Sequence, residues 1–72
     1  MKKMFTMVAQ GMAGYFACLM WWNNEDPRFG FWEPYNTGYG RYSNFEDAEE
    51  EAKEWAESEG IQYVGKGEKF KE

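Results

Sequence analysis

Few residues in this 72-residue chain could take part in covalent or acid–base chemistry. Cys18 is the single cysteine and histidine is absent, so the thiol has no imidazole to activate it, and neither an internal disulfide nor the usual zinc sites can form. A lone thiol in an apolar stretch usually serves as packing. We therefore expect a protein that is not an enzyme and that has no catalytic residues, metal or other cofactor.

Carboxylates are the second set of reactive groups, and one segment holds most of them. Residues 44–59 contain eight carboxylates and the single cation Lys53, a local charge of −7, against a net charge of −5 for the whole chain. On a helix, carboxylates four residues apart repel each other in water, which favours a solvated surface over an acid–base pair. Such a surface can imitate a phosphate backbone toward a basic groove of a partner. The candidate acidic face consists of Glu46, Asp47, Glu50, Glu51 and Glu54.

Aromatic rings interleaved with cations suggest a third chemistry, the stacking of nucleic-acid bases. Aromatic residues make up 21% of the chain, and Arg28 and Arg41 lie among the rings of residues 28–42. Rings flanked by cations can stack single-stranded bases, whereas the same rings in a hairpin can pack across strands. Because few cations accompany the acidic segment, we favour packing and keep single-stranded nucleic-acid binding as an alternative function.

The acidic segment has the pattern of an amphipathic helix. Apolar residues recur on one face at helical spacing, namely Phe45, Ala48, Ala52, Trp55 and Ala56. Ser43 followed by Glu46 forms a capping-box pattern at its start, and Gly60 can adopt the left-handed conformation that ends a helix. The sequence therefore predicts a helix over residues 44–59.

Strands are predicted on both sides of this helix. Residues 15–22 and 28–32 favour a hairpin around the turn formers of NNEDP, with Pro34 near a strand end or bulge. Residues 4–9 and 61–64 have the pattern of two further short strands. The expected fold class is α+β: a small antiparallel sheet of three to four strands with one amphipathic helix packed on one face, in the order β(β)βαβ. Residues 1–65 form the single domain, and residues 66–72 are expected to be a disordered tail.

The strand at residues 15–22 is apolar on both of its faces, which predicts burial on both sides of the sheet. One helix covers one face only. A soluble monomer seldom exposes several large rings together, so we expect a second copy of the chain to cover the other face and form a homodimer. The candidate interface consists of Tyr15, Phe16, Trp21, Trp22, Phe29, Phe31 and Trp32.

The apolar run of residues 4–22 also permits a membrane interpretation. Lys2 and Lys3 precede the run and Trp22 ends it, as in a membrane span with an interfacial aromatic belt. Gln10 and the strand-forming second half of the run argue instead for buried strands. A small membrane-anchored protein remains the third alternative.

The run FWEPYNTGYGRYSNFEDAEEEAKEWAESEGIQYV resembles small uncharacterised proteins of tailed phages, particularly those infecting cyanobacteria. The shared features cover about half of the chain: a Trp/Pro/Tyr hairpin end, the TGYGRY lead and the acidic helix. The resemblance implies a protein made in the cytoplasm of an infected host, where it would bind a host or phage protein and redirect or inhibit it. It implies no catalytic residues. Residues 1–11 lie outside this pattern, and Met12 offers an alternative start.

Overall fold

The computed structural model describes residues 3–24, 28 and 30–71. Its elements are β1 (Met4–Gly11), β2 (Gly14–Asn23), β3 (Phe31–Thr37), α1 (Phe45–Glu59) and β4 (Gln62–Tyr63). One helix packs with a four-stranded sheet of order β3-β2-β1-β4, so the predicted α+β fold is confirmed. The predicted turn residue Pro27 and the candidate interface residue Phe29 lie outside the described residues.

The sheet is mixed, and this differs from the expected wholly antiparallel arrangement at one strand. β1 and β2 pair antiparallel, as do β2 and β3, whereas β4 runs parallel to β1. The path of the helix explains the direction of β4. Phe45 at the start of α1 contacts Tyr15 near the end of β1, while Ala52 lies over Thr6. The helix therefore runs antiparallel to β1 and returns the chain to the point where β1 begins.

β1 and β2 form a hairpin from the apolar run for which a membrane span was an alternative. Gly14 follows the two-residue turn with a φ of 115°, and a Cβ atom there would collide with the Tyr42 carbonyl oxygen. Tyr42 pairs with Tyr15 and so extends the sheet by one bridge. Among the described residues, no helix is long and apolar enough to cross a membrane.

β3 differs from the strand predicted over residues 28–32. Arg28 lies in a turn, and β3 begins at Phe31 and continues through Pro34. The register shifts opposite Leu19 and Met20, which leaves Tyr35 as an extra residue beside Pro34. Because β3 is an edge strand with a bulge at this point, it accommodates a residue that has no N–H. The prediction that Pro34 lies near a bulge is confirmed.

α1 begins one residue later than predicted, and its N-cap is Asn44. The Asn44 side chain accepts a hydrogen bond of 2.9 Å from the Asp47 N–H. The predicted capping box of Ser43 and Glu46 is therefore wrong, because Asn44 satisfies the exposed N–H group instead. The predicted C-terminal signal is confirmed: Gly60 has a φ of 69°, and the Ile61 N–H donates to the Ala56 carbonyl at 2.9 Å.

The core lies between α1 and the central strands. The apolar stripe of the helix presents small side chains that let the two layers approach closely, and Ala48, Ala52 and Ala56 are all buried. Thr6 of β1 is fully buried, and its hydroxyl donates a 2.7 Å hydrogen bond to the Ala52 carbonyl. This bond links the middle of the helix to the middle of the sheet.

Candidate binding surface

The register of the strands assigns each side chain to one of two sheet faces. Thr6 pairs with Leu19, and both lie on the face that α1 covers. The alternate residues lie on the opposite face, which we call the helix-free face. Its members from the three longer strands include Phe5, Met7, Ala9, Phe16, Cys18, Met20, Trp22 and Trp32.

Four rings form an aromatic cluster on the helix-free face. The Trp32 ring lies 4.7 Å from Phe5, 5.2 Å from Trp22 and 4.9 Å from Phe70, measured between centroids. Phe70 also lies 5.7 Å from Phe5. Phe5 is buried, whereas the other three rings are half-buried. The cluster therefore leaves part of its ring surface exposed on the helix-free face.

Two cations stand over rings at the border of the helix-free face. The Lys3 ammonium lies 4.4 Å from the centre of the Trp22 ring, and the Arg41 guanidinium carbon lies 4.6 Å from the centre of the Phe16 ring. Contacts of this kind contribute about 0.5–1 kcal/mol at exposed sites. Because the helix carries most of the carboxylates, the two sides of the molecule differ in charge.

A groove of about 1060 Å³ begins at the aromatic cluster and continues around the outer edge of β1. Its walls come from the cluster, from residues 64–70 and from the first residues of α1. Lys3, Lys66 and Lys69 line it together with Glu46 and Glu68. The groove is therefore apolar at its floor and weakly basic at its borders.

The C-terminal segment contributes one wall of this groove. The Gly65 N–H donates to the Glu68 carboxylate at 2.7 Å, and the Lys71 N–H donates to the Gln62 side chain at 3.1 Å. These two bonds and the Phe70 ring hold the segment against the helix-free face. The prediction of a disordered tail over residues 66–72 stays a prediction, and sequence reasoning missed Phe70 as a member of the cluster.

The structure divides the candidate acidic face. Asp47, Glu50, Glu51 and Glu54 surround a shallow depression of about 250 Å³ beside Tyr42, whereas Glu46 lies at the groove. The Tyr42 hydroxyl donates to Glu51 at 2.7 Å, and this hydrogen bond raises the pKa of Tyr42 above its ordinary value. Glu51 therefore has a partner inside the chain.

A second tyrosine binds the same helix from β4. The Tyr63 hydroxyl donates to Glu49 at 2.8 Å, and Glu49 also lies 3.9 Å from the Lys53 ammonium. Burial, followed by the bond to Glu49, raises the pKa of Tyr63. The two tyrosines thus use two helix carboxylates to attach α1 to the sheet.

The candidate interface residues fall on both faces. Phe16, Trp22 and Trp32 share the helix-free face. Tyr15 packs against Phe45 on the helix side, with ring centroids 6.1 Å apart. The candidate interface residues, which were predicted to form one surface, therefore lie on two opposite faces of the sheet.

Trp21 and Phe31 lie on the helix side, Trp21 opposite Glu33 of β3 and Phe31 at the start of β3. In the described part of the chain α1 packs against β1, β2 and β4 and leaves β3 uncovered. The Trp21 indole N–H donates to Glu33 at 2.9 Å, and its ring lies 5.3 Å from Tyr35. Phe31 is 51% exposed. These residues form a smaller surface beside the helix.

The thiol of Cys18 is buried within the sheet. Its sulfur lies 3.7 Å from the Met20 sulfur, and burial raises the pKa of the thiol. A raised pKa disfavours the nucleophilic thiolate. Among the described residues, no group of three or more potential metal ligands comes together. The described surfaces can therefore bind a ligand through aromatic rings and charged side chains.

Comparison with known proteins assigns no family to this arrangement. No protein-family model, curated protein or solved structure matches the chain. The resemblance to small phage proteins stays a prediction.

Proposed function

We propose that the chain is a non-enzymatic interaction protein that binds a partner protein through the helix-free face. The supporting observation is the partly exposed apolar surface of this face, where Trp22, Trp32 and Phe16 lie with no secondary-structure element over them among the described residues. At about 25 cal/mol per Å² of apolar area, covering a few hundred Å² contributes several kcal/mol before the cost of association. Soluble monomers rarely leave such a surface uncovered.

The charges around this face indicate the chemistry of the partner. Lys3 and Arg41 stand over rings at its border, and Lys66 and Lys69 line the adjoining groove. A partner with an apolar centre and an acidic border would complement them, since opposite charges guide encounter and register. We propose a protein of the host cell, or of the phage, as that partner.

The acidic helix is the less favoured surface for this role. Glu51 and Glu49 accept hydrogen bonds from Tyr42 and Tyr63 and so belong to the packing of the fold. The remaining carboxylates keep the exposed side of the helix hydrated, which is the ordinary role of a charged helix face.

A capture experiment with paired variants tests the proposal. Phe16→Glu places a charge on the helix-free face, while Phe31→Glu makes the same change on the other side of the sheet. Each variant and the wild type would be used as bait in host lysate at low and moderate salt, with captured proteins identified by mass spectrometry. We expect one protein that the wild type and Phe31→Glu retain and Phe16→Glu loses. Equal capture by all three baits, or capture by none, would exclude the helix-free face.

Single-stranded nucleic acid is the second candidate ligand, and one observation favours it. Cations lie 4.4 Å and 4.6 Å from the Trp22 and Phe16 rings, which places groups that attract phosphates beside aromatic side chains of the kind on which bases stack. The net charge of −5 opposes it. Titration of a labelled oligonucleotide at several salt concentrations distinguishes the candidates, because phosphate contacts weaken steeply with salt. Binding that Arg41→Gln weakens and salt abolishes would favour nucleic acid over the protein partner.

A further inference from the structure

The outer edge of β1 is unpaired over half of its length. The Trp22 N–H donates to the Lys3 carbonyl, so the backbone groups of every second residue from Lys3 face β2. Those of Thr6, Val8 and Gln10 face the other way. β4 covers this edge only as far as Thr6, whose carbonyl accepts from the Val64 N–H at 2.9 Å. Within the described residues, the chain supplies no strand beside Val8 and Gln10.

This edge also lacks the features that usually protect an exposed strand. Residues 4–24 contain no charged side chain and no proline. Proteins commonly block free edges with charge, proline or a bulge, because an open edge is a template for another strand. The opposite edge of the same sheet has all three devices: Glu33, Pro34 and the bulge at Tyr35.

We propose that the outer edge of β1 pairs antiparallel with the same edge of a second copy and so forms a homodimer. Val8 and Gln10 carry no charge, so two copies of the strand meet there without like-charge repulsion, and the charged side chains of the adjoining groove include both signs, Lys66 and Lys69 with Glu46 and Glu68. The unpaired segments of the two copies also have the same length, since in each copy the segment runs from Val8 to the end of β1 at Gly11. A two-fold arrangement lets each copy donate and accept the same backbone bonds.

The blocked edge at β3 explains why the association stops at two copies. A sheet with two open edges could add copies without limit, but Pro34 and the bulge block the β3 edge, and β4 at the other edge is only two residues long, which leaves the uncovered part of β1 for pairing. Pairing around a two-fold axis perpendicular to the sheet keeps both helices on one side. The two helix-free faces then form one continuous surface, which doubles the binding surface proposed above.

Proline substitution tests this edge without breaking the hairpin. The Gln10 N–H faces outward, so Gln10→Pro removes a donor from the edge and leaves the bonds to β2 intact. Gln10→Thr is the matched control, because it keeps the N–H and favours a strand. In sedimentation equilibrium at micromolar concentration we expect dimers for the wild type and Gln10→Thr. We expect at least about tenfold weaker association for Gln10→Pro, because the two-fold dimer loses one hydrogen bond from each copy.

Two further measurements keep the test decisive if Gln10→Pro fails to fold. Amide hydrogen exchange of wild-type Val8 and Gln10 should slow as protein concentration rises, because only the dimer protects these groups. Phe16→Glu, on the helix-free face, should leave the dimer intact. A wild-type monomer, exchange that ignores concentration, growth beyond two copies, or a dimer lost in Phe16→Glu would each overturn the proposal. The last outcome would place the dimer interface on the helix-free face instead.

Discussion

The ring of Phe70 packs against the ring of Trp32, with centroids 4.9 Å apart and an angle of 63° between the ring planes. This contact joins the end of the chain to an edge strand of the sheet. Phe70 also lies against Phe5, the buried member of the same cluster. The C-terminal segment therefore acts as a partial cover for the helix-free face, and its contribution to stability can be measured.

Phe70→Ala should lower the free energy of unfolding by about 1–2 kcal/mol. Fully buried Phe residues lose about 3–5 kcal/mol on truncation, and Phe70 is half-buried. Urea denaturation followed by tryptophan fluorescence measures the change, and the folded variant should show red-shifted emission from the exposed Trp32. Phe31→Ala, at a site 51% exposed, is the control and should change little. Equal stability of the two variants would mean that residues 66–72 form the disordered tail expected from the sequence.

Removal of the Thr6 hydroxyl should weaken the attachment of α1 to the sheet. Thr6→Val keeps the shape of the side chain but loses the 2.7 Å hydrogen bond to the Ala52 carbonyl. We expect a loss of about 1 kcal/mol in the free energy of unfolding, the usual net value of one hydrogen bond. Thr37→Val at the exposed end of β3 is the matched control. A Thr6→Val variant as stable as the wild type would show that this bond contributes nothing.

Stability should decline in alkaline solution because of Tyr63. Its pKa is raised above the ordinary value of 10.0 by burial and by the bond to Glu49, so the folded protein holds the phenolic proton more tightly than the unfolded chain does. The stabilisation is complete below pH 10.0 and is lost as the pH rises from there toward the folded-state pKa. The slope is at most about 1.4 kcal/mol per pH unit for one group.

Urea denaturation of the wild type and of Tyr63→Phe, at neutral and at alkaline pH, measures this dependence. The free energy of unfolding of the variant should fall less at alkaline pH, because residue 63 then has no phenol to ionise. Some decline should remain, because the pKa of Tyr42 is also raised. Identical slopes for the two proteins would exclude Tyr63 as a source.

The parts of the fold that the sequence predicted are those governed by local patterns. The alanine stripe and Gly60 determine α1 through spacing and backbone conformation, and both act over a few residues. The choice between Ser43 and Asn44 as N-cap was missed because both side chains can cap a helix. The structure identifies Asn44, which has an extended backbone and accepts a hydrogen bond from the Asp47 N–H.

The candidate site was less predictable because its members meet through the tertiary fold. Phe70 is a lone aromatic residue in a charged segment, so no periodicity indicates that it reaches Trp32. The open edge at Val8 and Gln10 depends on where β4 ends, and the parallel direction of β4 depends on the path of α1. The separation of charge was visible in the sequence because most of the carboxylates belong to one continuous segment, residues 44–59.

The ratio of partner captured by Phe16→Glu to that captured by Phe31→Glu tests the central claim most directly. Both variants replace a phenylalanine by the same charge, and they differ in the sheet face that receives it. If the helix-free face is the binding surface, capture by Phe16→Glu falls at least about tenfold below that by Phe31→Glu, since a buried unpaired charge costs more than about 1.4 kcal/mol. A ratio near one, with both variants folded, would contradict the proposed function.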